Sequence, residues 1–299
     1  MVNKIPIFIP KHYDPFILPE LNAEQKEIYN KLSEYVNTIL LPVEDSQYQV
    51  EREWVSEKCL KRYCRSANWN LVDAKNRMKN SLEWRRVYKP NDIDPKELEP
   101  EAITGKIHIN GFDKQGRPII YLRPGLENTK AGPRQVKNVV FTFEAAIKIM
   151  PKDVESVVIV VDFHNCSPRS SPGLGIAKEF MYVLGSHYPE RLSMALIINA
   201  PWYFWGFFKL ISPFIDPVTK NKIKFVDLNI TDNIDSVNNV TTEKNSSQQK
   251  VRILDYVDKD QLESEYGGDN YFDFEFETYW KALLEKIGKN IEEDNEKDI

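Results

Sequence analysis

Cysteine is scarce, with three among 299 residues, and Cys59 and Cys64 stand five apart rather than in a CxxC pair. That spacing excludes a disulfide framework and a zinc or dithiol motif, and fits the reduced thiols of an intracellular chain. The four histidines, His12, His108, His164 and His187, share no metal-ligand spacing. There is no GxSxG elbow and no Walker loop, which removes the usual hydrolase nucleophile and the P-loop phosphate cradle. The turn Gly173-Leu174-Gly175 has Lys178 where a dinucleotide loop needs its third glycine. A helix start explains it better than a nicotinamide-dependent oxidoreductase does. Basic charge is not in excess: 40 Lys and Arg face 45 Asp and Glu, for a net charge of −5. With no basic stripe, nucleic acid is not the expected partner. No uncharged run reaches the roughly 18 residues of a spanning helix. The opening stretch MVNKIPIFIPKHYDPF is interrupted by Pro6 and Pro10 and does not read as an export signal. These absences predict a cytoplasmic protein, peripheral to membranes, that is not an enzyme and needs no metal or cofactor.

What the chain does have is aromatic residues, at 12%, enough for a large core or an apolar cavity. Residues 1–45 read as an extended arm followed by a helix from Asn22, with Ile28, Leu32 and Tyr35 on one face. Residues 46–97 read as a small helical lobe: a polar connector to about residue 50, a helix from Glu51 to Ser66, and another from Leu71 to Tyr88, stopped by Pro90. From 98 to 285 the pattern alternates. Lys106–Ile109 and Pro118–Arg123 are expected strands, and Pro133–Met150 is an amphipathic helix. Ser156–Phe163 is an apolar run suited to a strand buried on both faces. A helix at Gly173–Ser186 and strands at Ser193–Asn199 and Lys222–Val226 follow, with a strand resuming at Val251–Val257 and a last helix at Tyr279–Ile287. Such alternation predicts an α/β fold with a mostly parallel, helix-covered sheet. Residues 229–250 are poor in hydrophobics and read as a mobile insertion, and 286–299 as an acidic tail. His108 alternates with Ile107 and Ile109 and is expected to face solvent; His164, just past Asp162, is expected in a loop.

One stretch is unusual. Residues 201–215, PWYFWGFFKLISPFI, carry Lys209 as their only charge. Pro201 suits a helix start and Pro213 a stop, giving about 12 residues and roughly 18 Å, too short to cross a bilayer. Trp202, Phe204, Trp205, Phe207, Phe208, Leu210 and Ile211 surround such a helix. A helix apolar on every side is either buried twice or meets a membrane. A lid that packs on a ligand when closed and on membrane when open satisfies both demands. Ionisable turns flank it: His187-Tyr188-Pro189-Glu190-Arg191 before, and Asp216 to Lys222 after.

These segments resemble the CRAL-TRIO lipid-binding family. HYPERL at 187–192, IINAPW at 197–202, FIDPVT at 214–219 with Lys222-Ile223, the strand ending in Asp162, and Tyr266-Gly267-Gly268 are similar to its phosphatidylinositol-transfer branch. RYCRSANWNLVDAK at 62–75 is similar to its N-terminal helical lobe. The resemblance implies a pocket for phosphatidylinositol, with its inositol phosphate held by Arg65, Glu190, Thr219 and Lys222. It also implies work at membrane surfaces, by transfer between membranes or by presentation to phosphoinositide kinases. Branch members that also take phosphatidylcholine have two hydroxyl residues where this chain has Val157 and Ile159. A wall without those hydroxyls cannot replace lost headgroup hydration, so poor phosphatidylcholine binding is expected. This pattern resembles the subgroup linked to pleiotropic drug resistance, and a sterol is the alternative ligand that such a wall would suit.

Overall fold

A computed structural model describes residues 3–167, 174–228 and 251–289. The expected insertion at 229–250, the loop at 168–173 and most of the acidic tail lie outside the described residues.

The first helix, α1 (Ala23–Ile39), starts at a capping box in which Asn22 accepts from the Gln25 backbone and the Gln25 side chain reaches back to Asn22. The expected single helix over 51–66 is two, α2 (Tyr48–Trp54) and α3 (Glu57–Ser66). The break falls at Val55-Ser56, where Ser56 caps the new helix by accepting from the Cys59 N–H at 3.2 Å. A capping serine, not a glycine or proline, ends the run. Next comes α4 (Leu71–Tyr88), capped by Asn70 and ended by Lys89 in a left-handed conformation before Pro90. Together α1, α3 and α4 enclose a core of Leu32, Val36, Cys59, Tyr63, Met78 and Leu82. A short helix, α5 (Pro95–Ala102), lies where no element was expected.

The α/β region holds β1 (Ile107–Phe112), β2 (Pro118–Leu122), α6 (Pro133–Ile149), β3 (Val157–Asp162), α7 (Leu174–His187) and β4 (Leu192–Ile198). Then follow α8 (Phe204–Ile211), α9 (Pro217–Asn221), β5 (Ile223–Phe225) and α10 (Phe276–Lys286). The strands form one sheet in the order β1-β2-β3-β4-β5, with β1 antiparallel and the rest parallel. The strand expected at 251–257 shrinks to one bridge, Val226 to Val251, followed by a 3-10 turn at Ile253–Asp255. The N-terminal arm protects the β1 edge: Gly111 N–H donates to the Ile7 carbonyl at 3.0 Å, and Phe8 is buried against Tyr279.

His108 is the clearest reversal. It is buried, its Nε2 lies 2.8 Å from Glu263, and its ring stacks on Tyr121. Strand alternation treated that face of β1 as open, but residues 253–274 cross it, and Asn110 and Arg123 also reach Glu263. His164 does sit in a turn, its N–H donating to Asp162. Asp162 also accepts from Asn199 (2.8 Å) and from the Tyr266 hydroxyl (3.1 Å). Gly267 follows Tyr266 with φ +90°, and a side chain on Gly268 would collide with the Leu262 carbonyl. The Tyr-Gly-Gly motif thus anchors the far face of the sheet.

Candidate lipid site

The face of the sheet turned away from residues 253–266 is apolar across its width. Parallel register aligns Ile120, Ile159, Ala195 and Ile223 in one row, and Leu122, Val161, Ile197 and Phe225 in the next. Val157 and Ile159, the two positions expected to replace hydroxyls, point to this face and are buried. Val161 is paired on both sides yet only half-buried, and so are Leu122, Phe163, Ile176, Phe180 and Ile223 around this face. Residues this central stay accessible only where the layer above them is incompletely filled. The seven residues of β4 span about 20 Å, a length that suits an extended acyl chain.

At the C-terminal ends of the strands, α8 closes over this floor. Phe204 is 5% exposed and packs on Phe163, Phe208 and Phe225 at centroid distances of 5.0, 5.6 and 5.9 Å. Ile211 is buried beside Ala177 and Ile215. The opposite side stays open: Trp202 is 87% exposed, and Trp205, Leu210 and Phe214 are exposed with it. The side chain of Phe207 lies outside the described residues. The helix is shorter than expected, beginning at Phe204 rather than Pro201 and giving way at Ser212 to a 3-10 turn that contains Pro213. Proline cannot donate the hydrogen bond that would have continued it. Among the described residues no helix is long and apolar enough to cross a membrane.

At the other end, the starts of β3, β4 and β5 bring ionisable groups together. Glu190 and Lys222 form an ion pair at 3.7 Å, each partly shielded. That separation exceeds a hydrogen bond, so both keep capacity for a further partner. Glu190 has φ +57°, a left-handed conformation rare for a residue of its size. Thr219 lies one turn before Lys222, whose N–H donates to the Thr219 carbonyl at 3.0 Å. Its N–H and hydroxyl both serve Asp216, the N-cap of α9. Burial pushes the Asp216 carboxyl up, but those bonds and the Lys222 charge outweigh it and hold the carboxyl below its usual range. Arg65, the fourth expected residue, pairs with Glu155 at 2.6 Å instead of with Glu190. The structure therefore joins Glu190 to Lys222 directly, Thr219 to Lys222 through the backbone, and Arg65 to a carboxylate that sequence reasoning missed. Glu155 precedes an apolar strand, and nothing local to it signals a guanidinium some 90 residues away.

The two residues that open the HYPERL motif have another task. His187 is buried and stacks on Trp84 at 4.3 Å, with Nδ1 3.2 Å from the Ser81 hydroxyl. The Tyr188 hydroxyl donates to Glu144 at 2.7 Å, and Glu144 pairs with Arg85 at 2.7 Å. The ionisable turn before the lid segment thus divides into a buried joint, His187 and Tyr188, and the Glu190 pair with Lys222.

Comparison with known proteins fits this geometry. Residues 103–268 match the CRAL/TRIO domain and residues 28–80 the CRAL/TRIO N-terminal domain. A CRAL-TRIO domain-containing protein of Schizosaccharomyces pombe is 40% identical over 273 residues, covering 89% of this chain and 25% of that protein. Phosphatidylinositol transfer protein PDR17 of Saccharomyces cerevisiae is 31% identical over 249 residues, covering 79% of this chain and 64% of that one. The chain thus spans a quarter of the first relative and just under two thirds of the second. The crystal structure of Sfh5 superposes with a TM-score of 0.57 at 18% identity, over 70% of this chain and 82% of that one, a likeness of fold. With a domain match over more than half of its length, this chain belongs to the CRAL/TRIO family.

Proposed function

We propose that this chain carries phosphatidylinositol, transferring it between membranes or presenting it to a lipid kinase, and takes little phosphatidylcholine. The observation that carries the reading is the Glu190–Lys222 pair at the strand starts, beneath an apolar and incompletely filled sheet face. Lys222 and Arg65 neutralise the phosphodiester, and Glu190 accepts from inositol hydroxyls. A similar protein bearing the name phosphatidylinositol transfer protein supports this choice of ligand.

Acyl-chain burial does not set the selectivity. The chains leave a membrane that already buries them, so their net gain is small, although each methylene taken from water is worth about 0.8 kcal/mol. Selectivity falls on the headgroup, where a hydrogen bond to a charged group contributes about 1.5–3 kcal/mol. The α8 lid swings out at the membrane, with Lys209 facing anionic headgroups. The wall at Val157 and Ile159 also suits a sterol, the second reading.

The test is transfer of labelled phosphatidylinositol between vesicles, together with mass spectrometry of co-purifying lipids. Lys222→Ala and Glu190→Ala should each lower inositide transfer at least about ten-fold with the fold retained, the loss expected for one charge-assisted bond. Unchanged transfer by both variants sinks the assignment. Co-purified sterol with no inositide in the wild type favours the second reading.

A further inference from the structure

Three guanidinium groups converge on Glu155 where the helical region meets the sheet, two at its carboxylate and one at its backbone carbonyl. Glu155 lies two residues before β3. Arg65 Nη2 is 2.6 Å from its Oε2, and Arg62 Nη1 is 3.9 Å from the same oxygen. Arg191, the residue after Glu190, donates from Nη1 to the Glu155 backbone carbonyl at 2.8 Å. The three arginines bring three positive charges to the single charge of Glu155. Arg62 is buried, and burial, with the Arg62 charge beside it, pulls the Arg191 guanidinium down to about 10. The locus is short of negative charge. It also adjoins the headgroup pair: β3, β4 and β5 run parallel, so Glu155, Glu190-Arg191 and Lys222 stand side by side at their starts.

We propose that Glu155 is a stand-in anion, which holds Arg65 until an anionic headgroup arrives and thereby decides which phosphate-bearing lipids are admitted. The inference rests on the phosphatidylinositol reading and adds a selectivity residue to it. An Arg65 fork already bonded to a carboxylate is not free for a phosphate; the phosphate must displace or share it, and two anions at one guanidinium repel. A headgroup rich in hydroxyls compensates, because its hydroxyls donate to the released Glu155. A bare phosphomonoester offers far fewer donors and leaves the repulsion in place. Inositol lipids therefore enter, and phosphatidic acid is refused. The residual positive charge of Arg62 and Arg191 keeps the site attractive to one anion more than Glu155 supplies, and its geometry makes the choice.

The experiment uses the full chain and phosphatidylcholine vesicles that hold labelled phosphatidylinositol or labelled phosphatidic acid at equal mole fraction. Glu155→Gln removes the charge and keeps the size. It should raise phosphatidic acid extraction about ten-fold over wild type, the equivalent of one charge-assisted bond removed from competition. The preference for phosphatidylinositol should shrink by a similar factor. The gain should vanish in Glu155→Gln/Arg65→Gln, an outcome that a merely structural role for Glu155 does not produce. An unchanged preference in folded Glu155→Gln, or a gain that survives the loss of Arg65, overturns the proposal. Should Glu155→Gln not fold, Glu155→Asp draws the carboxylate back by one methylene and should weaken the preference part-way; an unaltered preference there overturns it equally. If the wild type extracts no phosphatidylinositol, the functional reading fails by itself, and the phosphatidic acid gain alone decides the role of Glu155.

Discussion

Glu190 holds a left-handed backbone that costs an L-residue roughly 1–2 kcal/mol. Glycine would relieve that strain, so the carboxylate is kept for what it reaches, Lys222. Three residues upstream, His187 shows the opposite balance. Burial, aided by the Arg85 charge, pulls its imidazole down to about 4, whereas an unfolded chain titrates near 6.5. Between those values the unfolded chain binds a proton that the folded chain refuses. Stability should be whole above about pH 6.5, fall as pH drops to about 4, and lose nothing more through this group below that. The loss is on the order of 2 kcal/mol. Denaturant unfolding at pH 7 and pH 4.5 checks it: wild type should lose more over that interval than His187→Gln, and equal losses would reject the assignment. The sequence marked His187 and Glu190 as one motif with ionisable groups at a turn. It did not reveal that one is a buried neutral joint and the other a partly shielded partner of Lys222, because the distinction comes from Trp84 and Ser81, about a hundred residues earlier.

Among the elements, those with strong local punctuation were legible. Asn22, Asn70 and Pro133 mark the starts of α1, α4 and α6, and the apolar runs of β3 and β4 fall within a residue or so of their expected ends. The two-helix split at Ser56, the short α5 and the five-residue α9 were not legible, since each is set by a cap or by packing rather than by a period long enough to detect. Strand β3 bears on the proposed selectivity. Val157 and Ile159 share the lid face with Ile120 and Ala195, in a surface without hydroxyls at these positions. Placing Ser at 157 and Thr at 159 buries two hydroxyls in the unloaded protein, at about 1–3 kcal/mol each where unpaired. The double variant should melt lower when empty, extract more phosphatidylcholine than wild type, and regain thermal stability when that lipid is bound. A lower melting temperature with no gain in phosphatidylcholine extraction would remove the missing hydroxyls as the basis of the proposed exclusion.

At the scale of the whole molecule, the proposed lipid site depends on two regions being locked together. Arg65 comes from α3, while Glu155, Glu190 and Lys222 come from the segments that lead into β3, β4 and β5. The lock is α4 against α7 and α6: His187 on Trp84, Tyr188 on Glu144, and Glu144 on Arg85, whose guanidinium also lies 4.8 Å over the Trp54 ring. The Arg85 and Glu144 side chains are 10% and 13% exposed, so their pairing is a buried one. Breaking such a pair from one side leaves a charge without its partner and costs about 3–5 kcal/mol, whereas replacing both partners by apolar residues of similar volume is often nearly neutral. Arg85→Met should therefore lower the melting temperature sharply. It should also reduce inositide transfer, since the arginine of α3 loses its fixed place against the strand starts. Arg85→Met/Glu144→Met should recover much of the stability, because no lone charge remains. Transfer should recover with it, as neither residue is placed at the headgroup. Thermal unfolding of the two single variants and the double variant measures the coupling. Costs that simply add would mean that the pair is not what holds the regions together, and the position of Arg65 would then rest on the contacts of His187 with Trp84 and Ser81 and on its own pairing with Glu155.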